Sequence, residues 1–368
     1  MKIIHIIPNL KRGGAERICI DICKEQNKQG HKSLIVTFEN GNDFKELVED
    51  ISIQIIPTKF VPSIIKKNTL EIEVLEKFIL DFAPDIIHSH LYAADLITFQ
   101  LSDKVKCKFF SHLHSKRKEL NSKIPALNTK EKIIRRWEKR FYIKLLKQKK
   151  VKSIAISKDV YSFAKEDLKQ NENNCVLLEN CINFNTFKST SKKLNSPIKL
   201  IALGTINKNK SQTFLIESFA YLSKENFTLT IIGDGPEFEN CLELVRSQNL
   251  SENIFLLGAK NNPEDFLKDA HIFVHAAKSE AFGLSLIEAM AAGLPVVTTD
   301  GYGNRDIIKE GKNGFVIWER NPQKFADKIK VLIDSPKLYN EMSKNAIEFA
   351  SNFDVKPYCE KLLEIYKS

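Results

Sequence analysis

The stretch Ile272-Phe-Val-His-Ala-Ala-Lys-Ser-Glu280-Ala-Phe-Gly-Leu-Ser-Leu-Ile-Glu288 joins two patterns that together indicate one class of fold. Residues 272–276 form a short apolar run typical of a buried strand, and residues 284–292 have apolar side chains at helical spacing. A Phe-Gly-Leu turn connects them. Strand, glycine turn and helix form the repeating unit of a parallel sheet that is covered by helices on both faces.

The turn in this stretch also indicates a ligand. Backbone N–H groups of the Gly283-Leu284 step are expected at a helix N-terminus, where the helix dipole favours an anion such as phosphate. Glu280 and Glu288 place one carboxylate on each side of that position. A phosphate flanked by two hydroxyl-rich sugars, as in a nucleotide-sugar, suits this arrangement.

The same alternation of strand and helix extends along the chain in two blocks. The first block has predicted strands at 2–7, 32–38, 52–56, 85–90, 107–112 and 152–156, with helices at 15–29, 70–82, 92–102, 130–148 and 158–168. The second has strands at 198–203, 227–232, 253–257, 272–276, 295–299 and 314–317, with helices at 211–223, 237–248, 263–269, 284–292, 304–309 and 322–333. Residues 184–197 are polar and indicate a linker. The predicted fold is α/β, with two Rossmann-like doubly wound parallel-sheet domains.

Composition narrows the class of protein. The apolar run at residues 2–7 is too short for a secretory signal, and no stretch approaches the roughly 18–20 apolar residues of a membrane span. We therefore expect a cytoplasmic protein. The seven cysteines are scattered and form no Cys-x-x-Cys pair, which predicts reduced thiols rather than disulfides or a zinc site.

The formal net charge of +10 is unevenly distributed. Residues 101–150 contain seventeen basic and four acidic residues, and aromatic residues such as Trp137 and Phe141 alternate with the basic ones on a predicted helix. Residues 104–150 are therefore expected either to dock on an anionic membrane surface or to form a solvated lysine-rich surface. Nucleic-acid binding is a third interpretation of the same pattern.

Glycines follow the first strand of each block, and in the second block a lysine comes after the glycine. Gly13 and Gly14 join a strand to a helix, and paired glycines permit close approach of the backbone to a ligand as well as positive φ values. Gly204 has the corresponding place in the second block, and Lys210 can reach a diphosphate from there as a mobile charge. An ordinary turn and a solvated lysine are the alternatives. Ligands of such sheets bind beyond the carboxyl ends of the strands, so these residues are site candidates.

Histidines are concentrated at two strands of the first block. His112 and His114 are expected where the fifth strand ends, where a ring nitrogen can contact a sugar hydroxyl or carry a proton. For His88 and His90, in the preceding strand, a structural role is favoured. The chain contains no Asp-x-Asp, so a carboxylate pair for Mg²⁺ or Mn²⁺ is not evident, and no metal or other cofactor is expected.

Taken together, these motifs resemble the family-4 glycosyltransferases, which are retaining enzymes of the GT-B fold that use nucleotide-sugars. The segments that carry the resemblance are Gly13-Gly-Ala-Glu16, Asp85–Leu96, Ser157, Glu179-Asn-Cys-Ile-Asn183, Gly204 with Lys210, Gly233-Asp-Gly-Pro236, Gly258 and the Glu280-x7-Glu288 pair. The glutamate pair is the most specific of these, because the glycine loops are individually common.

The resemblance implies a role for each matched residue. The implied catalytic residues are Glu280, which would contact hydroxyls of the transferred sugar, Lys210, which would neutralise the leaving diphosphate, and His114, which would be the histidine that closes its strand. The implied donor-binding residues are Gly14, Gly204, Lys210, Phe282, Gly283, Leu284, Glu288, which would bind the ribose, and Arg305. Gly13, Glu16 and His112 are further candidates, for the acceptor side.

One position departs from the family pattern. Thr205 stands directly after Gly204, where the family commonly has an arginine, so one of two cationic phosphate contacts is missing. Arg305, Lys208 or another base is expected to replace it.

The resemblance also implies how the chain is divided and used. It implies an acceptor-binding domain at 1–185, a nucleotide-sugar domain at 186–350, a C-terminal helix at 351–368 that crosses back, and an interdomain cleft. The expected activity is retaining transfer from a nucleotide-sugar, most commonly a UDP-sugar, to a glycan or lipid-linked acceptor in the assembly of surface polysaccharide such as capsule or lipopolysaccharide. The alternatives are an epimerase or phosphorylase of the same fold and, less favoured, a nucleic-acid-binding protein.

Overall fold

The computed structural model describes residues 1–61, 69–117, 120–121, 128–148, 151–222 and 226–368. The chain is divided into two compact units. The first comprises Met1–Asn180 together with Val355–Ser368, and the second comprises Cys181–Asp354.

The first unit is built on a parallel sheet. Its strands are β1 Lys2–Ile7, β2 Lys32–Thr37, β3 Ile53–Ile55, β4 Lys59–Val61, β5 Thr69–Glu71, β6 Ile86–His90, β7 Lys108–Leu113, β8 Lys152–Ala155 and β9 Cys175–Leu177. Seven of them form a sheet in the order β3-β2-β1-β6-β7-β8-β9, and every pairing in it is parallel. β4 and β5 form a separate antiparallel pair. The strand order reverses at β1, which is the place where ligands bind in sheets of this kind.

Helices connect the strands of the first unit. They are α1 Gly14–Lys28, α2 Glu73–Phe82, α3 Tyr92–Leu101, α4 Thr129–Gln148 and α5 Lys158–Glu166, with a 3₁₀ helix at Lys45–Val48. The central strands are buried along nearly their whole length, as expected for a sheet covered on both faces.

The second unit has the same strand order. Its elements are α6 Phe184–Phe187, β10 Ile198–Leu203, α7 Gln212–Phe219, β11 Phe227–Ile232, α8 Phe238–Ser247, β12 Ile254–Leu256, α9 Pro263–Asp269, β13 Ile272–His275, α10 Leu284–Ala291, β14 Val296–Thr299, β15 Gly314–Ile317, α11 Pro322–Asp334 and α12 Pro336–Ser351. The six strands form a parallel sheet in the order β12-β11-β10-β13-β14-β15. β10 and β13 are therefore neighbours at the reversal of strand order, as β1 and β6 are in the first unit.

The chain returns to the first unit through its last helix. This helix, α13, spans Val355–Lys367 and packs against α1. Its Tyr358, Cys359 and Tyr366 are buried. None of the helices in the described ranges is long and apolar enough to cross a membrane. All seven cysteines are free, and six of them are buried.

Some local predictions were wrong. Residues 304–309 form turns instead of a helix, because the side chain of Asn304 bonds the backbone of its own loop, where it competes with helical hydrogen bonds. The helix predicted at 70–82 begins at Glu73, since residues 69–71 belong to β5. The linker predicted at 184–197 contains α6. The sequence patterns also missed β4, β9 and α12, and residue 223, the end of another predicted helix, lies outside the described residues.

Candidate active site

Lys210 and Glu280 meet at the carboxyl ends of two neighbouring strands. Lys210 follows β10 and Glu280 follows β13. The Lys210 ammonium group donates a hydrogen bond to Glu280 Oε1, and Nε2 of His275 lies 2.9 Å from the same oxygen. The side chain of Glu280 is 11% exposed and that of Lys210 is 22% exposed. The structure thus brings together two residues that the sequence placed seventy positions apart.

The pair is charged despite its burial. Burial alone would raise the pKa of Glu280, but the Lys210 charge and the hydrogen bond from His275 outweigh it and lower this pKa to about 2. Burial lowers the pKa of His275, so this ring is neutral near neutral pH and its Nε2–H donates to the carboxylate. Glu280 Oε2 receives no hydrogen bond from the described residues, which leaves it able to accept one from a hydroxyl group.

Backbone hydrogen bonds hold the two loops of this pair together. Lys278 N–H donates to Asn209 O at 2.7 Å, and the Asn209 side chain donates to Ser279 O at 2.8 Å. On the other side, Glu280 N–H donates to Gly301 O at 2.8 Å. Glu280 is therefore fixed from both sides by backbone, which is the kind of rigid support that a catalytic group needs.

Behind the pair is a layer of buried polar residues that sequence reasoning missed. His275 Nδ1 lies 3.1 Å from Thr298 Oγ1, and Asn304 Nδ2 donates to the same oxygen at 3.2 Å. Asn304 Oδ1 also accepts from Gly301 N–H at 2.9 Å. The loop that bonds Glu280 is thus tied to the histidine that bonds Glu280. A histidine at the end of an apolar strand, five residues before Glu280, was the available sequence signal.

The glycines after β10 and β11 permit two loops to touch. Gly204 has φ +133°, and a Cβ atom on Gly233 would lie 2.0 Å from Gly204 O. A Cβ on Gly235 would lie 2.3 Å from Ile206 O, and Ile206 N–H donates to Asp234 O at 2.9 Å. The Gly233-Asp-Gly segment therefore has an architectural function. It supports the loop that leads to Lys210.

The N-terminus of α10 lies directly after Glu280. Gly283 is the residue before the helix, with φ +101°, and no side chain caps the helix there. Leu286 N–H donates to Gly283 O at 3.0 Å, and within the described residues the N–H groups of Leu284 and Ser285 are left to an anion. Glu288 is half-buried one turn into the helix. Phe282 is 4% exposed and packs edge-on against Phe353, so its observed contacts are those of a core side chain.

Arg305, expected as the replacement cation, is already paired. Its guanidinium group bonds both oxygens of Asp300, at 2.7 and 2.6 Å, and lies over the rings of Tyr302 and Trp318. It would have to leave Asp300, or share it, to bind phosphate.

Arg320, which sequence reasoning missed, is a second arginine at the carboxyl edge of this sheet. Its Nη1 donates to Ala276 O and Thr299 Oγ1, both at 3.0 Å, and its guanidinium group lies 4.8 Å from the centre of the Phe214 ring. Burial lowers the pKa of Arg320, and no carboxylate of the described residues forms an ion pair with it.

The glycine loop of the first unit differs from the expectation. Neither Gly13 nor Gly14 has positive φ; Gly13 is extended, with φ −165°. A Cβ on Gly13 would lie 2.2 Å from a carboxylate oxygen of Glu16, which folds back over the start of α1. Burial raises the pKa of Glu16, although a hydrogen bond from its own backbone N–H opposes the shift. In this structure Glu16 itself faces the helix N-terminus.

Five histidines of the first unit form one buried cluster, composed of His5, His88, His90, His112 and His114. His112 lies within β7, not after it as predicted, and is fully buried, so it does not face a ligand. His114 follows β7 and is 9% exposed; its ring stacks on His112 at 4.2 Å. Of the two predicted site histidines, His114 is therefore the one with exposed surface in this structure.

A metal ion is the other possible partner of this cluster. Ring nitrogens of His88, His90 and His112 lie within 4.8 Å of one another. Both nitrogens of His90 are already within hydrogen-bond distance of His5 and His114, so a metal ion would break one of those contacts. The contacts present are those of a hydrogen-bonded cluster.

Ion pairs neutralise part of the positive charge of residues 104–150. Arg117 is 2% exposed and bonds Asp95, so it belongs to the core and not to a basic surface. Lys104, Lys116 and Lys139 have carboxylate partners. Lys118, Lys123, Lys149 and Lys150 lie outside the described residues. The remaining charge is concentrated on α4, where Arg136, Arg140, Lys144 and Lys147 are exposed at helical spacing and, among the described residues, form no ion pair.

Comparison with known families identifies both halves of the chain. The family model described as Glycosyltransferase Family 4 matches residues 12–185, and that described as Glycosyl transferases group 1 matches residues 183–349. Together the two models span residues 12–349.

Curated relatives agree with this assignment. The chain is 25% identical over its whole length to the capsular polysaccharide biosynthesis glycosyltransferase CapH of Staphylococcus aureus and covers 99% of it. It is 30% identical, over 44% of its length, to the poly(glycerol-phosphate) alpha-glucosyltransferase of Bacillus subtilis (strain 168). The chain spans only 24%, 28% and 39% of the length of three such relatives, so their activities are not assigned to it here.

Solved structures show the fold. Anabaena Alr3699/HepE in complex with UDP and glucose has a TM-score of 0.82 at 20% identity, and each chain covers 100% of the other. The glycosyltransferase from Rickettsia africae ESF-5 has a TM-score of 0.79 at 21% identity, with 100% of this chain and 97% of that chain covered. The predicted fold class, two Rossmann-like parallel-sheet domains of the GT-B type, is confirmed. The chain is a glycosyltransferase and belongs to family 4, group 1.

Proposed function

We propose that this glycosyltransferase transfers a sugar from a nucleotide-sugar, with retention of configuration and without a metal ion, to a glycan or lipid-linked acceptor. The observation that carries the proposal is the Lys210–Glu280 pair beside the uncapped N-terminus of α10. A cation and free N–H groups suit a diphosphate, and a carboxylate with one unbonded oxygen suits sugar hydroxyls. UDP is the proposed nucleotide, because a structural neighbour was solved with UDP and glucose.

The candidate residues around Lys210 and α10 then have the following proposed roles. Glu280 binds hydroxyl groups of the transferred sugar, and the N–H groups at Gly283 and Leu284 bind the diphosphate. Lys210 shifts from Glu280 toward the diphosphate as charge builds up on the leaving group, where preorganised electrostatic stabilisation is the largest catalytic term. Glu288 binds the ribose. Phe282 supports the loop from the core.

The proposed stereochemistry follows from what surrounds Glu280. Its Oε1 accepts a hydrogen bond from His275, and its Oε2 is the oxygen proposed to bind hydroxyl groups of the sugar, so both oxygens act as hydrogen-bond acceptors and the carboxylate is poorly suited to attack the sugar as a nucleophile. We propose that the acceptor enters on the face from which the diphosphate leaves, and that the diphosphate takes the acceptor proton. The linkage formed then keeps the anomeric configuration of the donor.

The test combines a donor screen with two variants and a matched control. UDP- and GDP-sugars are incubated with and without acceptor, and nucleotide release is measured. Glu280→Gln and Lys210→Ala should each lower kcat by about 10²–10³-fold. Lys199→Ala is the control, because Lys199 lies in β10 at the opposite end of the strand and pairs with Asp269 at the surface. NMR of the product reports the anomeric configuration.

Several outcomes would contradict the proposal. An inverted linkage, or full activity of either variant, would refute the proposed mechanism. Interconversion of the nucleotide-sugar without acceptor would instead indicate the epimerase alternative. Dependence of activity on added Mg²⁺ or Mn²⁺, lost with chelator, would refute metal independence.

We further propose that the α4 stripe, defined as Arg136, Arg140, Lys144 and Lys147, docks the enzyme on the anionic cytoplasmic surface of a membrane, where a lipid-linked acceptor for surface polysaccharide would be found. Each cation near such a surface contributes about 1 kcal/mol at low salt. The rings of Trp137 and Phe141 stack on the same helix with their centres 5.4 Å apart, and they add apolar aromatic surface beside the charged stripe. The capsular relative CapH supports this class of acceptor.

Vesicle co-sedimentation tests the docking proposal. Changing all four stripe residues to Gln should lower partitioning onto phosphatidylglycerol vesicles by up to about 10³-fold at low salt. The control changes four exposed lysines of the second unit, Lys260, Lys312, Lys337 and Lys344, and removes the same charge. Equal losses in the two variants would indicate nonspecific attraction and contradict a defined docking surface. Binding to DNA at physiological salt, abolished by the stripe variant, would favour the nucleic-acid interpretation.

A further inference from the structure

A line of hydrogen bonds runs through the first unit from α1 to the residue after β7. Gln26 Oε1 lies 2.8 Å from His5 Nε2, His5 Nδ1 lies 3.0 Å from His90 Nε2, and His90 Nδ1 lies 2.9 Å from His114 Nε2. Gln26, His5 and His90 are completely buried. The line therefore connects a core amide to the one histidine of the cluster with exposed surface in this structure.

The rings in this line are neutral near neutral pH. Burial lowers the pKa of His5 to about 4 and lowers the pKa of His90 and His114 well below the usual value, with further repulsion from neighbouring charges in the latter two. A neutral imidazole has one N–H donor and one lone pair. Each contact needs one donor and one acceptor, so the tautomer of one ring determines the tautomer of the next.

Gln26 determines the direction of the line. Its carbonyl oxygen can only accept, so His5 carries its proton on Nε2 and leaves Nδ1 to accept from His90 Nε2–H. His90 Nδ1 then accepts from His114 Nε2–H. His114 is left with an unprotonated Nδ1. Among the described residues, that nitrogen has no hydrogen-bond partner, and it is not enclosed as Nδ1 of His112 is.

The oxygen of Gln26 accepts from a second side, whereas the buried Nε2 of the same amide has no partner among the described residues. Ser33 Oγ donates to Gln26 Oε1 at 2.9 Å. An amide does not titrate, so it presents the same acceptor at every pH at which the protein is folded. A carboxylate at this position would instead attract a second proton onto His5 and could reverse the line.

We propose that Gln26 is a positioning residue that fixes His114 as its Nε2–H tautomer, so that His114 Nδ1 accepts a hydrogen bond from a sugar hydroxyl. The proposal rests on the function proposed above for its link to catalysis, but the tautomer itself does not depend on activity. In this role His114 recognises a hydroxyl group that donates a hydrogen bond to its Nδ1. A histidine in this state cannot act as a general acid.

The direct test is the tautomer of His114 in the full-length protein labelled with ¹⁵N in its histidine rings. Long-range ¹H–¹⁵N correlation distinguishes protonated from unprotonated ring nitrogens, and a His114→Gln variant assigns the signals. Wild-type protein should show His114 with protonated Nε2 and unprotonated Nδ1. Gln26→Met keeps the length of the side chain without an acceptor, and it should give a mixture of both tautomers.

Gln29→Met is the matched control, because it makes the same change three residues further along the chain, where the Gln29 side chain bonds Glu25 instead of a histidine of the line. It should show the wild-type pattern. A protonated Nδ1 on wild-type His114, or an unchanged pattern in Gln26→Met, would overturn the proposal. Stoichiometric bound metal with signals of chelated histidine would overturn it in favour of a metal site. If Gln26→Met does not fold, the wild-type spectrum alone decides the tautomer.

Kinetics then connect the tautomer to the reaction. Halving the population of the competent tautomer should lower kcat/KM of Gln26→Met about twofold. Gln29→Met should keep the wild-type value of kcat/KM. If the tautomer is as proposed but His114→Gln retains full activity, the proposed role of His114 fails while the hydrogen-bond line stands. If the tautomer is reversed, the inference fails and the Glu280 and Lys210 variants still test the function.

Discussion

The two units share a strand order that reverses at one pair of neighbouring strands, but they bury different kinds of polar group there. The first unit buries five histidines that must stay neutral, and the second buries the Lys210–Glu280 pair, which must stay charged. Neutral rings suit recognition of hydroxyl groups, while a charged pair suits a diphosphate. Acid should therefore affect the two units over different ranges of pH.

The largest expected effect is the loss of stability of the first unit in mild acid. Burial lowers the pKa of its five clustered histidines, so below about pH 6.5 the unfolded chain binds more protons and the free energy of unfolding falls. One buried histidine that stays neutral costs about 1.4 kcal/mol for each pH unit below its usual pKa, and the loss for the cluster should exceed that of a single ring. The second unit has two histidines with lowered pKa, His271 and His275.

The Lys210–Glu280 pair should respond only to stronger acid. The lowered pKa of Glu280 means that its contribution is complete above about pH 4.5 and is lost as the pH falls toward 2. Each unit has one tryptophan, Trp137 and Trp318, so Trp137→Phe and Trp318→Phe variants report on one unit each in urea titrations. Equal losses of stability in the two units between pH 6.5 and 5.5 would contradict the comparison.

The next effect concerns an ion pair that the first unit does contain. Asp95 accepts hydrogen bonds from Arg117, from Ser89 at 2.6 Å and from Tyr142 at 2.6 Å, and both members of the pair are fully buried. Asp95→Asn should lower the free energy of unfolding by about 3–5 kcal/mol, because it leaves a buried guanidinium charge without its counter-ion. The measurement is urea denaturation followed by circular dichroism.

An exposed pair of the same unit is the control. Lys165 and Glu172 form an ion pair at 2.8 Å at the surface, and Glu172→Gln should leave the unfolding midpoint unchanged. If Asp95→Asn behaved like Glu172→Gln, the first unit would not depend on charge at Asp95. The two units would then differ more sharply, because only the second would depend on a buried charged pair.

The smallest of the three effects compares glycines that are crowded in different ways. In the second unit, Gly233 has φ +148° and faces the backbone oxygen of Gly204, so Gly233→Ala should lower the unfolding free energy by about 1–3 kcal/mol. In the first unit, Gly13 is extended and faces only the end of the Glu16 side chain, which can move. Gly13→Ala should therefore cost clearly less. A larger shift in Tm for Gly13→Ala would show that Glu16 is held firmly at the helix start.

Sequence patterns predicted the elements that depend on neighbours along the chain. The buried strands and the Glu280–Glu288 loop follow from apolar periodicity and glycine placement, which are local. The hydrogen-bonding environment of Glu280 was harder to predict from sequence. His275, Thr298 and Asn304 meet only because β13 and β14 are adjacent in the sheet. The burial of Arg117 was missed for the same reason, since its partner is on α3, in another element. Tautomers along the histidine line need distances between atoms, which no spacing in the sequence supplies.

The position of α13 has a consequence for how the protein is made. The second unit is inserted between residues 180 and 355 of the first, and Tyr366, which lies 2.5 Å from His88 Nδ1, comes from the returning helix. A ribosome therefore synthesises the whole second unit before it produces the segment that closes the histidine cluster. During translation the second unit can fold before α13 has been synthesised. The first unit then still exposes the apolar surface that α13 covers, and this surface is the part that a chaperone would need to protect.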